Sequence, residues 1–184
     1  MTQHVDEPAV AGSHPVLALD PLTLSLRENG LIEASAGTGK TYTLALLYLR
    51  LLLGLGGERA YPCELSVQNI LVVTFTEAAT EELRNRIREN IHQLRIACLR
   101  GETGDAMLTQ LLAQIENKAQ AALLLLAAER QMDEAAIYTI HGFCQRMLAQ
   151  NAFQSGMLFQ QTLVEDESDI RRQAVADFWR RNCY

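Results

Sequence analysis

One eight-residue string has the residue types and the spacing that bind phosphate. Residues 34–41 read ASAGTGKT and match the P-loop pattern GxxxxGK[ST], except that Ala34 stands at the first glycine. Gly37 and Gly39 let successive backbone N–H groups turn toward phosphate oxygens. Lys40 should contact the β- and γ-phosphates of ATP, and the Thr41 hydroxyl should bind Mg²⁺. The predicted nucleotide site consists of Ala34, Ser35, Ala36, Gly37, Thr38, Gly39, Lys40 and Thr41.

The alternative is a glycine-rich turn without a ligand. We favour the nucleotide-binding interpretation over a turn without a ligand. An apolar segment precedes the string and a helical pattern follows it, which is the context that a phosphate-binding loop requires.

Two further polar strings lie where predicted strands meet helices. Residues 74–76 follow the apolar run ILVV, and residues 139–141 lie where a second apolar segment, 136–140, runs into His141. Ligands of open α/β sheets bind at this carboxyl edge. Phe75 could stack on a nucleic acid base there, and His141 could donate to a phosphate or a base edge. The alternatives are a core phenylalanine and a structural histidine.

Arginines are concentrated in one segment of a chain whose net charge is −6. Residues 84–100 contain five arginines and one acid, and Arg84, Arg88 and Arg95 share one helical face. This face could contact nucleic acid phosphates or an acidic partner. A solvated helix face is the favoured interpretation.

Two acidic pairs resemble the metal-binding acids that follow a Walker B strand. These pairs are Asp133-Glu134 and Asp166-Glu167. The residues before them are too polar or too few for a buried strand, so we assign neither pair to magnesium or to catalysis.

The pattern of elements around these strings predicts an α/β fold. A short strand at Leu31-Ile32, a helix from Thr41 to about Leu53 and a strand at 70–73 would form a βαβ unit. Helices are predicted at about 77–99 and 106–132, a third strand at 136–140, a helix ending near 150 and another in the tail. The predicted domain boundaries are a loosely ordered leader at 1–29, an ATP-binding domain at 30–150 and a helical segment at 151–184.

Composition excludes several classes of protein. The chain has 184 residues, of which 48% are apolar and 21% are charged, so it can bury a normal core and is neither disordered nor a disulfide-stapled miniprotein. The longest apolar stretch contains Arg50 and is too short to cross a membrane. The N-terminus has no signal-peptide pattern. Four widely spaced cysteines indicate reduced thiols and a cytoplasmic protein.

Three strings together resemble motifs I, Ia and Ib of the UvrD-like superfamily 1 DNA helicases. They are LIEASAGTGKTYTL (31–44), ILVVTFTEAATEELRNRI (70–87) and IYTIHGFCQRML (137–148). The resemblance extends from about Leu19 to Tyr184. It implies part of a RecA-like P-loop NTPase motor domain, in which helices flank a parallel sheet and a helical insertion is present. It also implies ATP and Mg²⁺ as cofactors. The DNA-binding residues that it implies, on a single-stranded track, are Thr74, Phe75, Thr76, Thr139 and His141.

Within this family, the amino-acid sequence is most similar to a subunit of a bacterial helicase and nuclease complex. That complex unwinds double-stranded DNA ends in recombinational repair. On that pattern, the Walker B acids, the arginine fingers and a nuclease domain lie beyond residue 184. We therefore expect the chain to be the N-terminal piece of a longer protein and to be inactive in isolation. Two alternatives are a truncated, catalytically incompetent nucleotide-binding fragment and a P-loop enzyme that acts on small molecules.

Overall fold

The computed structural model describes residues 18–35, 37–151 and 166–183. The described residues up to Thr139 form one compact unit, and those from Ile140 onward form a second. Short 3-10 helices lie at Gly57–Arg59 and Met132–Glu134. The longer elements are α1 (Lys40–Leu53), β1 (Val72–Thr74), α2 (Glu77–Arg100), α3 (Ala106–Gln114), α4 (Lys118–Arg130), β2 (Ile137–Thr139), α5 (Ile140–Gln150) and α6 (Ser168–Asn182).

The first unit is built on a small parallel sheet. Strand β1 pairs with β2, and Thr74 lies opposite Thr139 at their carboxyl ends. Helix α2 packs against both strands, and α1 packs against α2 and α4. A parallel pair needs a crossover connection, and here α2, α3 and α4 provide it. This arrangement confirms the predicted α/β class and fits part of a RecA-like motor domain.

Most of the predicted helices are confirmed because their end signals are strong. Helix α1 ends at Gly54 and α2 at Gly101, and both glycines adopt a positive φ. Helix α2 begins after Thr76, whose hydroxyl accepts a 3.2 Å hydrogen bond from the Ala79 N–H. Such caps satisfy backbone groups that have no partner inside the helix.

The single helix predicted for 106–132 is wrong, because two helices, α3 and α4, occupy this segment. The break falls at 115–117. Ile115 has extended backbone angles and is buried, and the Asn117 side chain accepts a 3.0 Å hydrogen bond from the Gln120 N–H. An asparagine side chain that caps the next helix offers the local backbone an alternative to helical hydrogen bonds, so it interrupts the helix. The alanine-rich composition of the segment hides this break in the sequence.

The strand predicted at Leu31-Ile32 is also wrong. Residues 29–35 have no regular secondary structure, and Leu31 is 86% exposed. A strand forms only when a neighbour exchanges backbone hydrogen bonds with it. Within the described part of the chain, no residue offers such a ladder to residues 29–34. The βαβ unit is therefore made by β1 and β2.

The core of the first unit is formed by facing helices. The apolar stripe predicted on α2 is confirmed, because Leu83, Ile87, Ile91, Leu94 and Cys98 are all buried. It packs in one cluster with the buried faces of α1 and α4, to which Leu46, Leu49 and Leu125 contribute fully buried side chains.

A fully buried arginine attaches an irregular segment to this core. The Arg50 guanidinium donates 2.8 Å hydrogen bonds to the carbonyls of Pro21 and Leu24. Leu22, which lies between these two residues, is itself buried. The arginine that interrupts the apolar sequence of α1 is therefore a structural anchor, because a buried charge is tolerated only when it is hydrogen-bonded.

Among the helices that the structure describes, none combines the length and the apolar character needed to cross a membrane.

Gly56→Ala should destabilise the protein. Gly56 has a φ of +124°, and a Cβ at this position would overlap Nη2 of Arg50, which its carbonyl partners hold in place. The free energy of unfolding should fall by about 1–3 kcal/mol, as measured by denaturant titration. Gly104→Ala is the matched control, because a Cβ there meets no atom within 4 Å. Equal stability of the two variants would contradict this account of Arg50.

Candidate functional site

The predicted phosphate-binding loop is held by hydrogen bonds among its own residues. Gly37 and Gly39 have φ values of +79° and +82°, which other residue types rarely adopt. The Thr38 hydroxyl donates to the Ser35 carbonyl at 2.7 Å. The Lys40 ammonium donates to the carbonyls of Ser35 and, at 3.1 Å, of Ala34. The lysine therefore lies over the beginning of the loop, where its charge can reach an anion bound there.

The loop ends at the N-terminus of α1, where no side chain among the described residues caps the helix. Gly39 is the N-cap residue and makes no side-chain cap bond, and the first turn of α1 contains no acidic residue. The N–H groups of a helix start and the helix dipole both favour an anion. Thr41 lies partly buried in this first turn. Of the eight predicted nucleotide-site residues, Ala36 lies outside the described residues, and the other seven lie directly before α1 or in its first turn.

The residue after Thr41 connects α1 to α3. The Tyr42 hydroxyl lies 2.7 and 2.8 Å from the two carboxylate oxygens of Asp105, which also caps α3 through the N–H groups of Met107 and Leu108. Burial alone would raise the pKa of Asp105, but the hydrogen bonds from Leu108, Tyr42 and Met107 outweigh it and hold that pKa below its ordinary value. The start of α1 is thereby fixed to the α3 cap.

Four of the five predicted DNA-binding residues meet at the carboxyl edge of the sheet. Thr74 and Thr139 lie side by side at the ends of β1 and β2. Phe75 and Thr76 follow β1 directly, and the Phe75 side chain is 80% exposed. The phenylalanine is thus not part of the core, so the structural alternative for Phe75 is wrong. The fifth residue, His141, is exposed in the first turn of α5, in the second unit.

The threonine side chains at this edge make contacts within the protein. The Thr139 hydroxyl donates to the Glu77 carboxylate at 3.1 Å, and Thr139 is only 7% exposed. The Thr74 hydroxyl contacts the Thr80 hydroxyl, and the Thr76 hydroxyl caps α2. Phe75 therefore presents an accessible apolar ring at this turn beside the exposed Thr76, and the threonine contacts hold the shape of the turn.

The arginine face of α2 is bound to neighbouring elements. Arg84 donates to the Ile137 carbonyl at 2.9 Å, Arg88 pairs with Asp133 at 2.7 Å and Arg95 pairs with Glu129 at 2.7 Å. These contacts hold α2 against β2, the 3-10 helix at Met132–Glu134 and α4. The three arginines are partly exposed and each also contacts a neighbouring element, so the solvated interpretation holds in part and does not anticipate these contacts.

The two acidic pairs occupy positions with local structural roles. Besides the bond of Asp133 to Arg88, the Glu134 carboxylate accepts a hydrogen bond from the Gln68 amide. The Asp166 carboxylate accepts a 2.9 Å bond from the Ser168 N–H at the start of α6.

Comparison with known proteins identifies the family. The profile of the UvrD/REP helicase N-terminal domain matches residues 19–182. The chain belongs to the UvrD/REP helicase family. Membership of this family implies the use of ATP and a metal ion in general terms, and it confirms the resemblance carried by the three sequence strings.

The relatives also agree with a narrower likeness that the strings LYLRLLLGLGG, IHQLRIACLRGE and AAERQMDEAA predict, namely to RecB. The RecBCD enzyme subunit RecB of Escherichia coli K12 is 69% identical over 166 residues, which is 90% of this chain and 14% of that protein. The RecB subunit of Haemophilus influenzae is 48% identical, over 91% of this chain and 14% of its own length. That of Chlamydia trachomatis is 34% identical, over 88% and 15%. The chain spans about one seventh of these relatives.

Two contacts at the site are not evident from the sequence. Glu77 reads as an acid in the first turn of a helix, which is a common helix-start signal, but nothing in the sequence links it to Thr139, 62 positions away. Asp105 precedes an apolar helix and is recognisable as a cap, but its contact with Tyr42 has no sequence signal.

The stabilising effect of Asp105 should depend on pH. Because the folded-state pKa of Asp105 lies below its ordinary value, its contribution is complete above the unfolded pKa of about 4 and is lost as the pH falls through the lower folded value. Asp105→Asn should reduce the free energy of unfolding by about 1 kcal/mol at pH 7, and this difference from the parent protein should shrink below pH 4. The measurement is denaturant unfolding across pH.

Tyr42→Phe serves as the companion variant, because it removes one of the three donors to Asp105 and leaves the carboxylate in place. In Tyr42→Phe, the contribution of Asp105 to the free energy of unfolding should depend less on pH than it does in the parent protein, but the dependence should not vanish. A difference between the parent protein and Asp105→Asn that is constant with pH would contradict the assignment.

Proposed function

We propose that the chain forms the ATP-binding portion of a DNA helicase subunit that unwinds double-stranded DNA ends in recombinational repair and couples ATP hydrolysis to translocation on single-stranded DNA. The observation that carries the proposal is the exposed Phe75 at the carboxyl edge of the sheet, in the same compact unit as a phosphate-binding loop. Family membership supports both halves of it.

Several features of the loop fit Mg²⁺-bound ATP. The phosphates would meet the N–H groups of the loop and of the uncapped start of α1. The Lys40 ammonium would contact the β- and γ-phosphates, and the Thr41 hydroxyl would bind Mg²⁺. Lys40 now donates to carbonyl oxygens, and an anionic oxygen is a stronger acceptor for the same donors. When bound, ATP would supply the phosphoanhydride bond whose hydrolysis drives movement.

The sheet edge fits single-stranded DNA through stacking. An exposed aromatic ring can stack on any base, so Phe75 would bind DNA without reading its sequence. We assign Thr74, Thr76 and Thr139 to the same edge, where their hydroxyl groups shape the turn around Phe75. His141 would contact a phosphate or a base edge. The arginines of α2 have protein partners, so we assign DNA binding to the sheet edge.

The complete protein would act with partners. The relatives are subunits of the RecBCD enzyme, and we infer that RecC and RecD subunits, together with DNA, are the partners of this one in the bacterial cytoplasm. Nuclease activity would belong to the assembled complex. Phosphoryl transfer also needs a metal-binding acid and an arginine that offsets transition-state charge. Since Asp133 and Glu134 are engaged in protein contacts, we infer that the isolated chain turns over ATP only at background rate.

Lys40→Ala should abolish ATP hydrolysis by the complete subunit without unfolding it. In the described part of the chain, the Lys40 side chain is exposed and donates to the Ala34 and Ser35 carbonyls, so its loss should remove phosphate contacts and little packing. The chain contains one other lysine, Lys118, which is exposed in the first turn of α4, and Lys118→Ala is the matched control. Steady-state hydrolysis should fall by several orders of magnitude for Lys40→Ala alone, with thermal unfolding unchanged. Normal turnover would refute the nucleotide site.

Phe75→Ala should weaken single-stranded DNA binding by the complete subunit by about 1–3 kcal/mol, equally for oligothymidylate and oligoadenylate, because one base stack is lost. Arg88→Ala is the contrasting variant. Since Arg88 is paired with Asp133, the slope of log affinity against log salt should not change, whereas a lost phosphate contact would lower it by about one. Fluorescence anisotropy at several salt concentrations measures both. If Phe75→Ala bound DNA with the affinity of the parent protein, the proposal that DNA binds at this edge would be refuted.

A further inference from the structure

At the carboxyl edge of the sheet, a hydrogen bond between two sequence-distant residues joins the end of β2 to the start of α2. Thr139, the last residue of β2, donates through its hydroxyl to the carboxylate of Glu77, the first residue of α2, at 3.1 Å. Thr139 is buried, whereas Glu77 is exposed. The bond therefore attaches the start of α2 to the strand beside β1.

The turn between β1 and α2 is also fixed from its other side. The Thr74 hydroxyl contacts the Thr80 hydroxyl and donates to the Thr76 carbonyl at 3.2 Å. The Thr80 hydroxyl donates to the same carbonyl at 3.0 Å. Residues on both sides of Phe75 are thus held by polar contacts, and the Phe75 ring extends from a turn whose two ends are anchored.

We propose that Glu77 is a positioning residue for the single-stranded DNA site. Its carboxylate holds the first turn of α2 against the end of β2, and this contact keeps the β1–α2 turn in the conformation that presents Phe75 to a base. The inference rests on the proposed DNA contact of Phe75. It adds that Glu77 acts through the turn and not by touching DNA.

Two physical arguments support this role. A side chain that is already held in its binding conformation loses less conformational entropy when it binds. A negative charge close to a DNA track also repels phosphates, so a carboxylate at this edge opposes DNA binding unless it contributes in another way. The Glu77 carboxylate contributes by accepting the hydrogen bond from the Thr139 hydroxyl. A glutamine at this position would retain the bond, because its amide oxygen is also an acceptor.

The test compares Glu77→Ala with Glu77→Gln in the complete subunit with its partners. Binding of a fluorescent oligothymidylate is followed by anisotropy. Glu77→Ala should weaken binding about threefold to tenfold, as expected for the net contribution of one ordinary hydrogen bond. Glu77→Gln should bind DNA at least as tightly as the parent protein, because it keeps an acceptor for Thr139 and removes the negative charge. Glu81→Ala is the matched control, because Glu81 lies one turn further along α2 and contacts Arg84 and Asn85 of the same helix. It should bind DNA normally.

A second route removes the donor instead of the acceptor. Thr139→Val keeps the shape of the side chain and removes its hydroxyl, so it should weaken DNA binding by the same factor as Glu77→Ala. Combining the two substitutions should add nothing further. Nucleotide binding and thermal unfolding of each variant show that the fold is retained. If Glu77→Ala proves unstable, Thr139→Val and Glu77→Gln still decide the question.

A double-mutant cycle with Phe75→Ala separates the two proposals. If Glu77 acts through Phe75, Glu77→Ala should have no effect on DNA binding in a Phe75→Ala background. Unchanged binding by Phe75→Ala alone would overturn the DNA contact itself. Weak binding by Phe75→Ala with normal binding by Glu77→Ala would overturn only the positioning role. Tighter binding by both Glu77 variants would show that the residue acts as a repelling charge, which also overturns the proposal.

Discussion

Burial of the apolar stripe of α2 is the interaction on which the rest of the first unit depends. This helix has 24 residues, and its buried face packs in one cluster with α1 and α4. Its arginine face bonds to β2, the 3-10 helix and α4. Because a single helix contacts both strands and the helix that follows the predicted phosphate-binding loop, its placement sets the positions of both candidate binding regions.

The two faces of α2 therefore make different kinds of interaction. The apolar face supplies the non-directional free energy of burial, and the arginine face supplies directional bonds that fix how the helix sits against the sheet. Exposed ion pairs contribute little to stability on their own, so the arginines serve mainly to set orientation. The same geometry leaves the N-terminal end of α2 at the carboxyl edge of the sheet, directly after Phe75.

Much of the fold and part of the site could be predicted from sequence, and the physical reason differs between elements. The glycine and threonine signals at the ends of α1 and α2 are local, so these helices were predictable to within one residue. The P-loop string is local in the same sense. The strand at Leu31-Ile32 was not predictable in this way, because a strand depends on a partner that local sequence does not specify.

Side-chain partnerships across the fold were beyond sequence analysis. The helical spacing of Arg84, Arg88 and Arg95 was evident, but their acceptors come from the 3-10 helix, β2 and α4, and only the folded chain brings these elements together. The same applies to the contact between Glu77 and Thr139. The sequence is compatible with Phe75 as an exposed stacking residue or as a core residue. In the structure it lies just after the strand end, and its side chain is exposed.

Arg50 has a consequence for where this domain can be cut. Its guanidinium is fully buried, and two of its acceptors are the carbonyls of Pro21 and Leu24. An expression fragment that starts after Leu24 would remove both acceptors together with the segment that covers the guanidinium, and the loss of one hydrogen bond to a charged group costs about 1.5–3 kcal/mol. The irregular segment around Leu22 is therefore integral to the folding unit, although it contains neither helix nor strand. Trimming that follows secondary structure alone would remove it.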